Sequence, residues 1–133
     1  MSVTGKDFIE FAGKCISHND EIGYRNAIGR AYYGVYHETL EKLEKCPEKA
    51  SHQAVRDYLT NDAWLTGNEP FEKMKLISIG TMLRHLHTRR KWADYELDRT
   101  MSKTDAEAIL IMANKAIDTL QQMHDEVYPS SAA

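Results

Sequence analysis

Residues 24–44 read YRNAIGRAYYGVYHETLEKLE, and this stretch decides the fold class of the chain. It contains no proline, and its apolar residues recur at the spacing of a helix rather than alternating as they would in a strand. A single long helix is therefore expected here. At about 100° per residue, one side of this helix is expected to face the core through Ile28, Tyr32, Val35 and Thr39.

The two N-terminal helices have recognisable ends in the sequence. Thr4, with Asp7 three residues later, predicts the start of a first helix. Asn19 is expected to cap the long helix, which runs to about Lys45 because Pro47 cannot continue it. The apolar stripe expected on the first helix consists of Phe8, Ala12, Cys15 and Ile16.

Three further helical segments follow in the sequence. Residues 51–60 predict a short helix, and residues 61–70 predict a loop. Pro70 is expected in the first turn of a fourth helix, and Thr104 with Glu107 predicts a capping box for a fifth. The expected core positions are Ala54, Val55, Tyr58 and Leu59 in the short helix, Leu76, Ile79, Leu83 and Leu86 in the fourth helix, and Ala106, Leu110, Ala113, Ile117, Leu120 and Val127 in the fifth.

The length and composition are those of one helical domain. The chain has 133 residues, of which 42% are hydrophobic, enough for a single core. Four long amphipathic helices with short connections pack most simply as a four-helix up-and-down bundle with one short extra helix. We expect this all-α domain to span residues 1–128, followed by a disordered C-terminal tail at 129–133. No stretch has the apolar length of a signal core or membrane span, so we expect a soluble cytoplasmic protein without membrane contact.

The charge and the cysteines exclude two classes of site. A net charge of −3 argues against coating nucleic acid by bulk electrostatics, so any RNA contact must come from a local patch. Cys15 and Cys46 have no metal-ligand spacing. His85 and His87 point about 200° apart on a helix and cannot chelate one ion. We therefore expect no metal site and no cofactor.

One local basic region lies near the end of the fourth helix. It is interpreted either as a phosphate-binding rim for RNA or as cations that favour a helix C-terminus by about 0.3–1 kcal/mol each, and the sequence leaves both open. Its members are Arg84, Arg89, Arg90 and Lys91.

A polar stripe runs along the long helix. With Arg30 as the zero of angle, Asn26, Tyr33 and His37 fall within roughly 60° of it. The Arg30 and His37 side chains therefore leave the helix on the same face. This stripe is the candidate functional site of the chain.

Glycines in the same helix need an explanation, because each costs about 0.5–1 kcal/mol relative to alanine in a helix interior. Close approach of another backbone would compensate, either from a neighbouring helix or from the same helix of a second subunit. In a two-fold dimer the patch would meet itself and bring two copies of the stripe together. The small residues beside the stripe are Gly23, Ala27 and Gly34.

An arginine and a histidine on one face have a chemical use in cutting RNA without a metal ion. An imidazole exchanges protons with a ribose 2′-OH or a leaving 5′-oxygen, while a guanidinium stabilises charge on the phosphate. Tyr33 would add a hydroxyl to the phosphate or position a base. The alternative is that Arg30 pairs with a carboxylate of the bundle and His37 is merely exposed. The spacing alone favours this alternative.

Three motifs resemble those of small stand-alone HEPN-domain proteins of bacteria and archaea. Residues 30–33, Arg-Ala-Tyr-Tyr, followed by His37, are similar to the S-R-A-Y-Y-x-x-F-H helix of that family. Residues 51–55 resemble its short T-H-x-x-V helix, and residues 90–95, RKWADY, resemble its R-x-x-A-D-Y motif. The motifs follow the family's order and are spread along the chain from residue 30 to residue 95.

The resemblance implies a HEPN bundle that forms a homodimer. Many members are metal-independent endoribonucleases with an R-x4–6-H motif, acting as toxins or anti-phage effectors and often paired with a nucleotidyltransferase antitoxin. Arg30 and His37 enclose six residues and fit this motif. Active members often carry a polar residue where this chain has Ala31, and other HEPN domains only bind nucleotides or partners. The resemblance favours a ribonuclease, with a non-catalytic binding or dimerisation module as the alternative.

Asp94 and His52 are two further polar residues for which a role in the site and a purely structural role are both considered. Asp94 lies four residues after Arg90 and is expected either to orient Arg30 or to close the bundle as a clasp. His52 opens the short helix, where a structural role is favoured over that of a second imidazole at the stripe.

Overall fold

The structure of the chain is a computed structural model that describes residues 2–47 and 51–129. These residues form an all-helical bundle without strands, which confirms the expected all-α class. Of the expected C-terminal tail, only Pro129 lies within the described residues. The helices are α1 (Gly5–Ser17), α2 (Glu21–Lys42), α3 (His52–Asp57), α4 (Lys73–Tyr95) and α5 (Lys103–Val127), and one π-helical turn, Tyr58–Asp62, continues α3.

Helix α2 lies at the centre of the bundle and packs against α1, α4 and α5. Its expected core side is confirmed, because Tyr32, Val35 and Thr39 are fully buried and Ile28 is nearly so. The Thr39 hydroxyl donates a 2.7 Å hydrogen bond to the Val35 carbonyl, so this polar side chain is satisfied inside the core. The expected core of α4 is also confirmed, with full burial of Leu76, Ile79, Leu83 and Leu86.

The ends of α2 differ from the prediction. Asn19 does not cap the helix but turns the chain with φ of 64°, a left-handed conformation that asparagine tolerates. Asp20 is the cap instead, and its carboxylate accepts a 2.9 Å hydrogen bond from the Gly23 amide. The helix ends at Lys42, before the expected end near Lys45. The predicted start of α1 is confirmed, with Thr4 as the N-cap and Asp7 completing a capping box.

Helix α4 begins later than Pro70 predicted. Pro70 lies in the preceding loop, and Glu72 caps the helix by accepting a 2.7 Å hydrogen bond from the Lys75 amide. Because Pro70 and Glu72 are only two residues apart, the sequence offered two starts for this helix, and the carboxylate cap is the one used.

Helix α5 begins two residues before the predicted capping box. Ser102 and Asp105 form the box, so the prediction of Thr104 with Glu107 is wrong, although both pairs share the same spacing. The apolar face is in the expected register. Ala106, Ala113 and Leu120 are buried, Leu110, Ile117 and Val127 are partly buried, and Ile109, Ala116 and Met123 complete the face.

The glycines beside the polar stripe are explained by α1 within a single chain. A Cβ at Gly34 would lie 2.5 Å from Ile9 Cδ1 and 2.7 Å from the Gly5 carbonyl oxygen. A Cβ at Gly23 would overlap the Cys15 carbonyl oxygen. Of the two expected explanations, the neighbouring helix is therefore correct. A dimer contact through this glycine patch is excluded, because α1 already covers it.

A buried arginine that the sequence analysis did not single out fixes the C-terminal end of α4. Arg25 is only 5% exposed, pairs with Glu21 at 3.2 Å and donates a 2.8 Å hydrogen bond to the Ala93 carbonyl. Its guanidinium also donates to the carbonyls of Trp92, Glu96, Leu97 and Arg99. These carbonyls belong to the last turn of α4 and to the segment that follows it, so Arg25 ties the end of α4 to α2.

A buried carboxylate, that of Glu69, binds backbone amides just after the C-terminal end of α2. Glu69 is 7% exposed and accepts hydrogen bonds from the Glu44 and Lys45 amides at 2.8 and 2.7 Å. The Tyr58 hydroxyl donates a third bond at 2.7 Å. Glu69 thus connects the end of α2 to the π-helical turn and holds α3 against the bundle.

Candidate catalytic and phosphate-binding site

The polar stripe of α2 is not covered by another helix within the described residues. Helices α1 and α4 both pack on α2, but within the described residues their backbones do not approach each other, so a strip of α2 lies uncovered between them. Asn26 and His37 are exposed on this strip, and Arg30 and Tyr33 are half-buried. The four residues predicted to share one face therefore do so.

The guanidinium of Arg30 is held by two aromatic rings. Its Cζ lies 5.2 Å from the ring centroid of Tyr33 and 5.7 Å from that of Phe8, within the range of cation–π attraction. Arg30 forms no ion pair among the described residues, and its buried Nε has no hydrogen-bond partner there. The interpretation in which Arg30 pairs with a carboxylate therefore does not hold within the described residues. The guanidinium keeps donors for an anion.

Arg90 approaches the same tyrosine ring from α4. Its Nη2 donates a 2.9 Å hydrogen bond to the Tyr33 hydroxyl, and its Cζ lies 5.2 Å from the ring centroid. Asp94 pairs with Arg90 Nε at 2.9 Å, one helical turn along α4, rather than with Arg30. Asp94 thus positions the second arginine of the site.

His37 is the most exposed titratable group of the stripe. Its ring lies 5.5 Å from Phe8, 5.5 Å from Tyr36 and 6.3 Å from Tyr33, measured between centroids. Phe8 was expected in the buried stripe of α1, but it is half-buried and packs on the site instead. Asn26 donates a 2.8 Å hydrogen bond to a carbonyl of its own helix, that of Ile22, and its amide oxygen accepts no hydrogen bond from residues 2–47 or 51–129.

A second imidazole, His52, joins the site from the start of α3. Its ring stacks on Tyr36 with centroids 4.0 Å apart and planes 3° apart, and it lies 6.0 Å from the Tyr33 ring. Its Nδ1 is hydrogen-bonded to the Tyr32 hydroxyl. Burial, with Arg90, Arg56 and His37 nearby, lowers the pKa of His52. The imidazole is therefore neutral near neutral pH.

Two residues near the site were not predicted as part of it. His87 lies 6.3 Å from His52 and 5.3 Å from Tyr32, and burial, reinforced by Arg56, lowers its pKa to about 4. Arg56 has a buried Nη1 without a hydrogen-bond partner among the described residues. The signal in the sequence was the helical spacing of Arg56 from His52, four residues apart on α3.

The predicted basic region does not form one patch. Arg90 alone reaches the polar stripe, whereas Arg84 pairs with Asp57 at 3.8 Å and Lys91 is exposed. Arg89 lies on the other side of α4, with its Cζ 4.3 Å from the Trp92 ring centroid. Since consecutive helix residues point about 100° apart, a run of cations in sequence divides around the helix.

The polar groups around Tyr33 carry a local excess of positive charge. Arg30 and Arg90 both contact the Tyr33 ring, Arg56 lies near the neighbouring His52, and Asp94 pairs with Arg90. Such a setting binds an anion, and adjacent imidazoles supply groups that exchange protons. We refer to this set as the Arg/His cluster; it comprises Arg30, Tyr33, His37, His52, Arg56 and Arg90.

Comparisons of the chain with protein-family models, with curated proteins and with solved structures give no match. None of the helices in the described ranges combines the length and apolar character that a bilayer span requires. Across residues 2–47 and 51–129, no three His, Cys, Asp or Glu side chains are grouped so that they could hold a metal ion.

Proposed function

We propose that the protein is a metal-independent endoribonuclease of the HEPN type, with Arg30 and His37 as its catalytic residues. One observation carries the proposal: a guanidinium that forms no ion pair with the described residues and an exposed imidazole lie around the same tyrosine ring on an open strip of α2. The three motifs resembling HEPN proteins lend support, because their residues 30–37, 51–55 and 90–95 supply most of the Arg/His cluster.

The proposed reaction is an intramolecular transesterification of RNA. His37 takes the proton of a ribose 2′-OH, whose oxygen attacks the adjacent phosphorus while the bond from phosphorus to the 5′-oxygen breaks. Arg30 stabilises the charge that develops on the phosphate oxygens. The products are a 2′,3′-cyclic phosphate and a 5′-OH.

Asn26, Tyr33 and Arg90 are proposed to support this reaction. Arg90 and the Tyr33 hydroxyl lie within one hydrogen bond of each other, so a phosphate oxygen that reaches one is close to both. Asn26 has a free amide oxygen on the exposed stripe, suited to contact a ribose or a base. Asp94 acts through Arg90, because it pairs with that guanidinium.

A homodimer is part of the proposal, with a contact surface different from the one expected. Phe11 and Ile22 are 53% and 63% exposed, and they line a groove of about 290 Å³ that continues to Asn26. A second copy seated on this groove would bring the two stripes together without displacing α1. The role as a cytoplasmic toxin or anti-phage effector, and a nucleotidyltransferase antitoxin as partner, follow from the HEPN resemblance alone.

The product ends test the proposal. Purified protein should cleave single-stranded RNA in EDTA and leave a 2′,3′-cyclic phosphate and a 5′-OH, identified by end-group analysis. Cleavage that requires a divalent cation, or that leaves a 5′-phosphate, would contradict it.

A second candidate function is a non-catalytic module that binds RNA, nucleotides or a partner. The observation that favours it concerns Ala31, which follows Arg30 and is fully buried. Alanine has no polar side chain, whereas active HEPN proteins often carry a polar residue at this position. This candidate predicts RNA binding through the Arg/His cluster without cleavage.

A further inference from the structure

We propose that His52 is a second proton-transfer residue, which delivers a proton to the leaving 5′-oxygen and is itself supplied by the Tyr32 hydroxyl. This inference rests on the proposed ribonuclease function and adds the general acid that such a reaction needs. It assigns His37 and His52 to the two ends of one transesterification.

The position of His52 suits this role. The centroid of the Tyr36 ring lies 5.5 Å from that of His37 and 4.0 Å from that of His52. The distance between the two imidazole centroids is therefore at most the sum of these two distances. Tyr33, which contacts both arginines that would hold the phosphate, also lies 6.0 Å from His52. Both imidazoles therefore border the same anion-binding area.

The orientation of His52 is fixed. Parallel stacking on Tyr36 holds the plane of the ring, and the hydrogen bond between Tyr32 and Nδ1 holds its rotation. A buried hydroxyl needs an acceptor for its proton, and Nδ1 is the partner that the Tyr32 hydroxyl has among the described residues, so we assign the phenol as donor and Nδ1 as acceptor. Burial raises the pKa of Tyr32 to about 12 and lowers the pKa of His52, which agrees with a protonated phenol and a neutral imidazole. The ring proton of the neutral imidazole is then on Nε2, which makes no hydrogen bond with the described residues.

The proposed step conserves protons and bonds. His37 removes the proton of the 2′-OH, the bond between the 2′-oxygen and phosphorus forms, and the bond between phosphorus and the 5′-oxygen breaks. His52 Nε2 donates its proton to the 5′-oxygen while Nδ1 takes the proton of Tyr32, so the imidazole ends neutral. The proton on His37 later passes to solvent, His52 Nε2 takes a proton from solvent, and Nδ1 returns its proton to the Tyr32 oxygen.

Arg56 provides the charge that such a relay requires. The step leaves a phenolate at Tyr32, a fully buried residue, and a buried anion without a partner is costly. Arg56 lies close enough to Tyr32 to act against the effect of burial on its pKa, and its buried Nη1 has no other partner among the described residues. A hydrogen bond from this nitrogen would stabilise the phenolate.

A substrate with a sulfur leaving group tests the proposal. A thiol is far more acidic than an alcohol, with a pKa near 8.5, so a 5′-bridging phosphorothiolate RNA needs no general acid. His52→Asn should slow cleavage of ordinary RNA by about 10²–10⁴-fold and cleave the sulfur substrate at close to the wild-type rate. Tyr32→Phe should be slowed on ordinary RNA and be rescued in the same way. The asparagine carbonyl can still accept from Tyr32, and the melting temperature of each variant checks its fold.

The matched control is His85→Asn on the exposed side of α4, which should cleave both substrates as the wild type does. If His52→Asn cleaves ordinary RNA at the wild-type rate, or is slowed equally on both substrates, His52 is not the acid and this inference fails alone. If the wild-type protein cleaves neither substrate, the proposed function fails with it.

Discussion

Arg90 Nη2 donates a 2.9 Å hydrogen bond to the Tyr33 hydroxyl, and this contact joins α4 to the open stripe of α2. The same guanidinium pairs with Asp94 at 2.9 Å. A planar guanidinium can donate to the hydroxyl through one nitrogen while another nitrogen lies at ion-pair distance from the carboxylate, a geometry that an ammonium does not reproduce. The role of Arg90 in the site therefore depends on the planar geometry of its guanidinium as well as on its charge.

Replacing Arg90 by lysine should weaken RNA binding while keeping the charge. Because the hydrogen bonds of a charged group are worth roughly 1.5–3 kcal/mol, we expect the Kd for a short single-stranded RNA to rise by at least about tenfold. The measurement is fluorescence anisotropy in a His37→Ala background, which prevents cleavage. Arg89→Lys, on the other side of α4, should leave the Kd unchanged, and equal effects in the two variants would remove Arg90 from the site.

Two glycines of α2 should respond in opposite directions to alanine. Gly34→Ala places a Cβ 2.5 Å from Ile9 and 2.7 Å from the Gly5 carbonyl, so α1 must shift, at a cost of about 1–3 kcal/mol. Gly29→Ala meets Asp94 Oδ1 at 3.6 Å, an ordinary contact, and should gain about 0.5–1 kcal/mol from helix propensity.

Urea denaturation of both glycine variants measures these free energies of unfolding. A Gly34→Ala protein as stable as the wild type would show that α1 does not lie against α2 as described.

The free energy of unfolding should fall as the pH drops from about 6.5 towards about 4. Burial lowers the pKa of His87 from 6.5 to about 4, so between these values the unfolded chain binds a proton that the native state does not. The unfolded state is then favoured as pH falls, and the stability contributed by a neutral His87 is fully present only above pH 6.5. His52, whose pKa is also lowered, acts with the same sign.

Denaturation at pH 7.5, 6 and 5 checks this dependence, and His87→Gln should make it shallower. The same substitution at the exposed His85 controls for the loss of a histidine from α4. An unaltered slope in His87→Gln would mean that His87 is not buried as a neutral group.

Removing the buried guanidinium should destabilise the protein strongly. Arg25→Met removes the guanidinium that donates to carbonyls at and just after the end of α4, Ala93 among them, and leaves Glu21 without its partner, so we expect a loss of about 3–5 kcal/mol in thermal or urea unfolding. Lys14→Met at an exposed ion pair on α1 should cost less than about 1 kcal/mol. Similar losses in the two variants would refute the role given to Arg25.

The sequence predicted helix types and core faces better than helix ends. The helical spacing of apolar residues identified α2 and the core of α4, because burial of one helix face requires apolar residues at that spacing. The absence of proline within α2 agreed with a single long helix. The caps of α2 and α5 were misplaced by one and two residues, since Asn19 beside Asp20 and Ser102 beside Thr104 offer the same chemistry. Only the backbone conformation, such as the positive φ of Asn19, decides between such neighbours.

The part of the candidate site on one helix was predicted more fully than the part that depends on packing between helices, where Arg90 was one of four candidate cations and His52 a less favoured second imidazole. Asn26, Arg30, Tyr33 and His37 share a face by helical geometry alone. The approach of Arg90, His52 and Arg56 depends on how α3 and α4 pack on α2, which no spacing within one segment encodes. Arg25 and Glu69 were missed for a related reason, because their partners are backbone groups that every sequence carries.

The most direct test of the central claim is cleavage of single-stranded RNA in EDTA by the wild-type protein, Arg30→Ala and His37→Ala, with circular dichroism to establish that each variant is folded. The account predicts cleavage by the wild type and a loss of at least about 10²-fold in both variants. Undiminished cleavage by both folded variants would contradict it.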